Sequence, residues 1–167
     1  MTTTSTGIAG TGDISAYLNT VGAVGGYAIT DTCDNVASNI DSLKTNLAYI
    51  SSIRLSDSKP LSISAIQLTS NISVLNKISN TEYTLIVSGV SAENIAILLA
   101  YSNEKMLITS LLISDSSANI AISLDALQAN HSKISSITLT NTTVPLAITA
   151  TQLTSDASAL AKIVGLY

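Results

Sequence analysis

The stretch PLSISAIQLTSNISVLNKIS, residues 60–79, returns 85 positions later as PLAITATQLTSDASALAKIV, residues 145–164, with twelve of twenty positions identical. A chain that carries one segment twice has to bury the same apolar positions twice. The duplication extends upstream at an offset of 84, where ITDTCDNVASNIDSLKTNLAYISSIRLSD (29–57) matches ISDSSANIAISLDALQANHSKISSITLTN (113–141). Ile29/Ile113, Asp31/Asp115, Asn35/Asn119, Asp41/Asp125, Leu43/Leu127, Ile50/Ile134, Ile53/Ile137 and Leu55/Leu139 are among the identities. One added residue, Val144 beside Pro145, accounts for the change of offset. The long unit therefore covers residues 27–82 and returns at 111–167, with 83–110 as a divergent unit between them. Residues 1–26 stand apart as an N-terminal tail, in which DISAYLNTVGAV has the look of a capping helix.

Each unit follows one order. A short alternation of Ile, Leu and Thr (ISSIRLS, YTLIVS, LITSLLIS, ISSITLT) has the period of two that marks a strand. A polar corner such as SDSK, SDSS or TNTT follows and is read as a turn. Next come apolar residues at helical spacing: Val36, Ile40, Leu43 and Leu47; Leu68, Ile72 and Leu75; Leu153, Ala157 and Leu160. Ser64-Ala-Ile-Gln67 and Thr149-Ala-Thr-Gln152 both fit the capping box, in which the hydroxyl takes a backbone N–H and the glutamine reaches back. Strand–turn–helix units in series predict an α/β fold, specifically a right-handed solenoid over residues 27–167. Its parallel sheet would form one wall and its helices the other. One unit alone cannot bury its apolar face, whereas like neighbours share a continuous Ile/Leu interior.

The composition narrows the function. With no Trp and no Phe, the core must be aliphatic, and with only 11% charged residues the surface must be largely Ser, Thr and Asn. A net charge of -4 argues against a nucleic-acid partner. No stretch is long and apolar enough to insert in a membrane. MTTTSTGIAGTGDISAY has neither the basic nor the apolar region of a Sec signal peptide.

Two family patterns echo in the repeat. ISSITLTN loosely resembles the leucine-rich repeat L-x-x-L-x-L-x-x-N, with Asn141 one place early. SSANIAISLDALQAN, KISSITLTNTTVPLAITATQL and SALAKIV more closely resemble repeat units of large secreted bacterial proteins of the adhesin or hemolysin kind. That resemblance spans residues 27–167 and implies an extracellular or cell-surface structural or adhesive role, with type I secretion, and it supplies no catalytic residue. Such arrays sit within much larger polypeptides than this one.

Few residues invite chemistry. His131 is the only histidine and replaces Leu47 of the other copy, so it is read as a helix-end residue rather than a ligand. Cys33 alone can form no internal disulfide and is read as a small residue near a helix start. Asp31, Asp57 and Asp115 recur at strand-to-helix corners. Helix capping is the simpler reading of them, and calcium the alternative, disfavoured because calcium takes six to eight oxygens. Asp41 and Asp125 fall on a solvated helix face. No nucleophile elbow and no phosphate loop is present, so neither an enzyme nor a cofactor is expected.

The ends carry the remaining expectation. ALAKIVGLY stops where the first copy would run on into its next strand at Tyr83. The opposite end, MTTTSTGIAG, is uncharged and β-leaning. Stacking of identical chains head to tail, with residues 1–10 supplying the missing strand, would make a filament or surface layer. The expected interface is Thr2, Thr3, Thr4 and Ile8 on one side and Ile163, Val164, Leu166 and Tyr167 on the other. The alternatives are an adhesin-type binding module and a fragment of a giant secreted repeat protein. The six tyrosines show no repeating register, which favours the structural reading over a binding wall.

Overall fold

A computed structural model of the chain describes Ile8–Ala9 and residues 26–165. The segment DISAYLNTVGAV, with its expected capping helix, lies outside the described residues, as do Thr2, Thr3, Thr4, Leu166 and Tyr167. The fold is mixed α/β, with strands in chain order within a three-stranded and a five-stranded sheet. The chain divides into two compact units, Met1–Thr84 and Leu85–Tyr167.

In the first unit, β1 (Ile8–Ala9), β2 (Tyr27–Asp31) and β3 (Ile50–Leu55) form the three-stranded sheet, and both pairings are parallel. Ile8–Ala9, read from sequence as part of a tail, is thus a strand of this unit. Between β2 and β3 run two short helices, α1 (Cys33–Ser38) and α2 (Ile40–Thr45). After β3 come β4 (Leu61–Ser64), α3 (Ala65–Ser70) and α4 (Ile72–Leu75). Ile78 then returns to bridge Ile53 in parallel. Alternation is visible in β2, where Tyr27, Ile29 and Asp31 are buried and the residues between them exposed.

The second unit repeats the pattern. The long strand β5 (Tyr83–Val90) leads into it, followed by α5 (Ile95–Leu99) and β6 (Met106–Asp115). Then come α6 (Ser117–Ile122), α7 (Leu124–Ala129) and β7 (Ile134–Leu139). The last elements are α8 (Ala150–Ser155), α9 (Ala157–Leu160) and β8 (Ile163–Val164). The five-stranded sheet has the order β4-β5-β6-β7-β8, with β6·β7 and β7·β8 parallel. Within β5 the alternation breaks at Ser88-Gly89, both exposed, and Gly89 has φ 63. That left-handed conformation suits glycine and turns Val90 back into the core.

The copies agree down to their irregularities. β3 holds one extra residue opposite Tyr27/Ala28, and β7 holds one opposite Leu111/Leu112. Ser51 occupies the first bulge, and its hydroxyl donates to the Gly26 carbonyl. Ser135 occupies the second, and its hydroxyl meets that of Ser110.

The helices are shorter than the apolar stripes suggest. Val36, Ile40 and Leu43 are buried as expected, yet the helix divides at Asn39, whose side-chain amide donates to the Asn35 carbonyl at 2.9 Å. Asn71 does the same to Gln67 at 3.0 Å. Such bonds let a side chain take the place of a backbone donor, so the next turn starts afresh. Both capping boxes form as expected, Ser64 with Gln67 and Thr149 with Gln152, each contributing about 1 kcal/mol.

Candidate functional site

In the first copy, the apolar face of the repeated segment is closed. Leu61, Ile63, Leu68, Leu75 and Ile78 are all essentially buried, and the Tyr83 hydroxyl donates to the Leu75 carbonyl at 3.1 Å. Burial pushes the Tyr83 phenol well above its ordinary range. In the second copy the same sequence is open. Pro145, Leu146, Ile148, Leu153, Leu160 and Ile163 line an apolar groove of about 390 Å³, and Leu153 is 60% exposed. The backbone responds as well: LSIS forms β4, whereas its counterpart, residues 146–149, forms no strand. A strand needs a hydrogen-bonding neighbour, and β4 has β5 beside it in the sheet order.

Two of the expected interface residues adjoin this groove. Ile163 and Val164 form β8, parallel to β7, with the Ile137 N–H donating to the Lys162 carbonyl at 2.8 Å. The sequence reading placed no strand at Ile163–Val164. The returning strand corresponds to the Ile78 bridge of the first copy, a single pair too short to show as alternation. Ile8 pairs with Ile29 within its own chain, so residues 8–9 are part of a sheet and one of their edges is already taken. Sequence reasoning missed Pro145, Leu146, Ile148, Leu153 and Leu160, because a stripe looks the same whether or not something covers it.

The aspartates are helix caps. The N–H that opens a helix is taken by a side chain at the end of the following strand. Cys33 donates to Asp57 at 3.1 Å, Ala92 to Asp115 at 3.0 Å and Ser117 to Asn141 at 2.7 Å. Asp31 and Asp115 also cap their own segments, accepting from Thr32 and Asn35 and from Ser116 and Asn119. The Cys33 thiol, and then its N–H, hold the Asp57 carboxyl below the ordinary carboxylate range. For Asp115, partial burial works upward, but the Ala92, Asn119 and Ser116 donors together outweigh it and the net shift is downward. Asp31 Oδ1, Asp57 Oδ1 and both carboxylate oxygens of Asp115 thus accept from N–H donors. Among the described residues no group of three or more His, Cys, Asp or Glu could hold a metal.

Between helices the copies differ at one position. Asn71, fully buried, donates to Asp41 Oδ1 at 2.8 Å. Its counterpart Asp156 is 2% exposed, and its Oδ2 has no hydrogen-bond partner among the described residues. His131 sits in the turn after α7 with Nδ1 2.8 Å from the Gln128 carbonyl, a local contact at a helix end. Cys33 is buried, with its thiol 3.0 Å from the Lys59 carbonyl.

Among the described residues no helix is long and apolar enough to cross a membrane. Comparison with protein-family profiles, with characterised proteins and with solved structures gave no match.

Proposed function

We propose that this chain is a non-enzymatic structural protein whose strand–helix units stack as a right-handed solenoid. Copies of the chain would join head to tail into a filament or surface layer. One observation carries the reading: one sequence, written twice, has its apolar face closed in the first copy and open in the second. Closing five aliphatic side chains contributes about 5–10 kcal/mol at most. That lies within the 4–15 kcal/mol cost of association, so hydrogen bonds along the joint have to tip the balance. Joining is therefore reversible and concentration-dependent. The resemblance to secreted repeat arrays supports an extracellular or cell-surface setting.

Light scattering tests the proposal. The parent chain should gain mass with concentration, and Leu153→Asp, which places a charge in the groove, should stay at the monomer mass with its circular dichroism unchanged. Equal association by both proteins would overturn it.

A further inference from the structure

The parallel strands carry an isoleucine ladder. In the first unit Ile8 is opposite Ile29, Ile29 opposite Ile53, and Ile53 opposite Ile78. In the second, Ile113 is opposite Ile137 and Ile137 opposite Ile163. Ile29, Ile53, Ile78, Ile113 and Ile137 are buried, whereas Ile163, at the end of its run, is partly exposed. The two end strands match in kind. β1 and β8 are both two residues long and both parallel, and each stands at one end of its sheet order. Because side chains alternate along a strand, a slip of one residue would turn the isoleucine to the wrong face.

We propose that β8 of one chain pairs in parallel with β1 of a second copy, in the register that places Ile163 opposite Ile8 and Val164 opposite Ala9. This rests on the head-to-tail reading and adds its partner surface and register. The joint extends the ladder by one more isoleucine pair and seats the second copy against the groove of Leu153 and Leu160. Backbone hydrogen bonds supply direction and the isoleucine pair supplies register.

Disulfide trapping tests the register, because in-register Cα atoms of paired strands lie about 4.8 Å apart, within bonding range. The background is Cys33→Ser, which installs the residue that the second copy carries at position 117. Mild oxidation of a chain with Ala9→Cys and Val164→Cys should give a ladder of covalent oligomers on a non-reducing gel. The slipped pair, Ile8→Cys with Val164→Cys, should form them roughly tenfold more slowly, because its side chains face apart. A second in-register pair, Ile8→Cys with Ile163→Cys, guards against a local defect in the first. Filaments without trapping in either in-register pair, or with equal trapping in the slipped pair, would overturn the register and leave head-to-tail stacking standing. A parent chain that never associates would overturn both.

Discussion

Leu68 and Leu153 occupy the same position in two copies of one sequence, and only Leu68 is buried, at 0% exposure against 60%. Their substitutions should therefore separate folding from assembly. Leu68→Ala is expected to cost about 2–5 kcal/mol, as a cavity in a packed interior does. Leu153→Ala should change monomer stability by less than about 0.5 kcal/mol, as exposed substitutions do, while weakening association. Urea denaturation below the association threshold, paired with light scattering above it, reads both effects.

Asn71 and Asp156 make a second such pair. Asn71 uses its amide on Asp41 and on the Gln67 carbonyl. A carboxylate at position 156 has no N–H to offer, and Asp125 stands at the place of Asp41. Asp156→Asn should raise stability by about 1 kcal/mol, the usual net value of a regained hydrogen bond. Asn71→Asp should lower it by about 3 kcal/mol, because two bonds are lost and a second carboxylate is buried near Asp41. Thermal denaturation of the two variants should move in opposite directions.

Acid should destabilise the protein through its caps. Asp57 and Asp115 are both held below their ordinary values in the folded chain. A depressed folded value means that the stabilisation is fully present above the unfolded carboxylate value of about 4 and is lost as pH falls through the folded value. The melting temperature should thus change little between about pH 5 and 7 and fall below about pH 4. Asp115→Asn should lower the neutral melting temperature and flatten the acid slope. An unchanged slope would count against these caps.

Cys33 offers an internal reporter. Burial first, and then its hydrogen bond to Asp57, push the thiol up to about 12. A disulfide reagent at about pH 8 should leave the native chain unlabelled, since the thiolate is the reacting species, and should label it fully on unfolding. Rapid labelling of native protein would contradict the buried placement.

What could be read from the sequence was whatever neighbouring residues decide among themselves. The capping boxes at Ser64 and Thr149 are local and were legible, as was the strand character of β3 and β7, although the bulges at Ser51 and Ser135 break the alternation read there. So were the corner aspartates as caps, because Asp31 and Asp115 bond to the residues that follow them. The division of the helices at Asn39 and Asn71 was not, since an asparagine's bond to the carbonyl four residues back competes with a helix that the stripe equally favours. Nor was the difference between β4 and residues 146–149. That depends on whether a neighbouring strand is present, and nothing in PLSIS or PLAIT records it.

The most direct test of the central claim is negative-stain electron microscopy of the purified chain across a range of concentrations. The head-to-tail account predicts unbranched filaments of uniform width that lengthen with concentration and are absent from the Leu153→Asp variant. A monodisperse particle of 17.2 kDa at every concentration would contradict it.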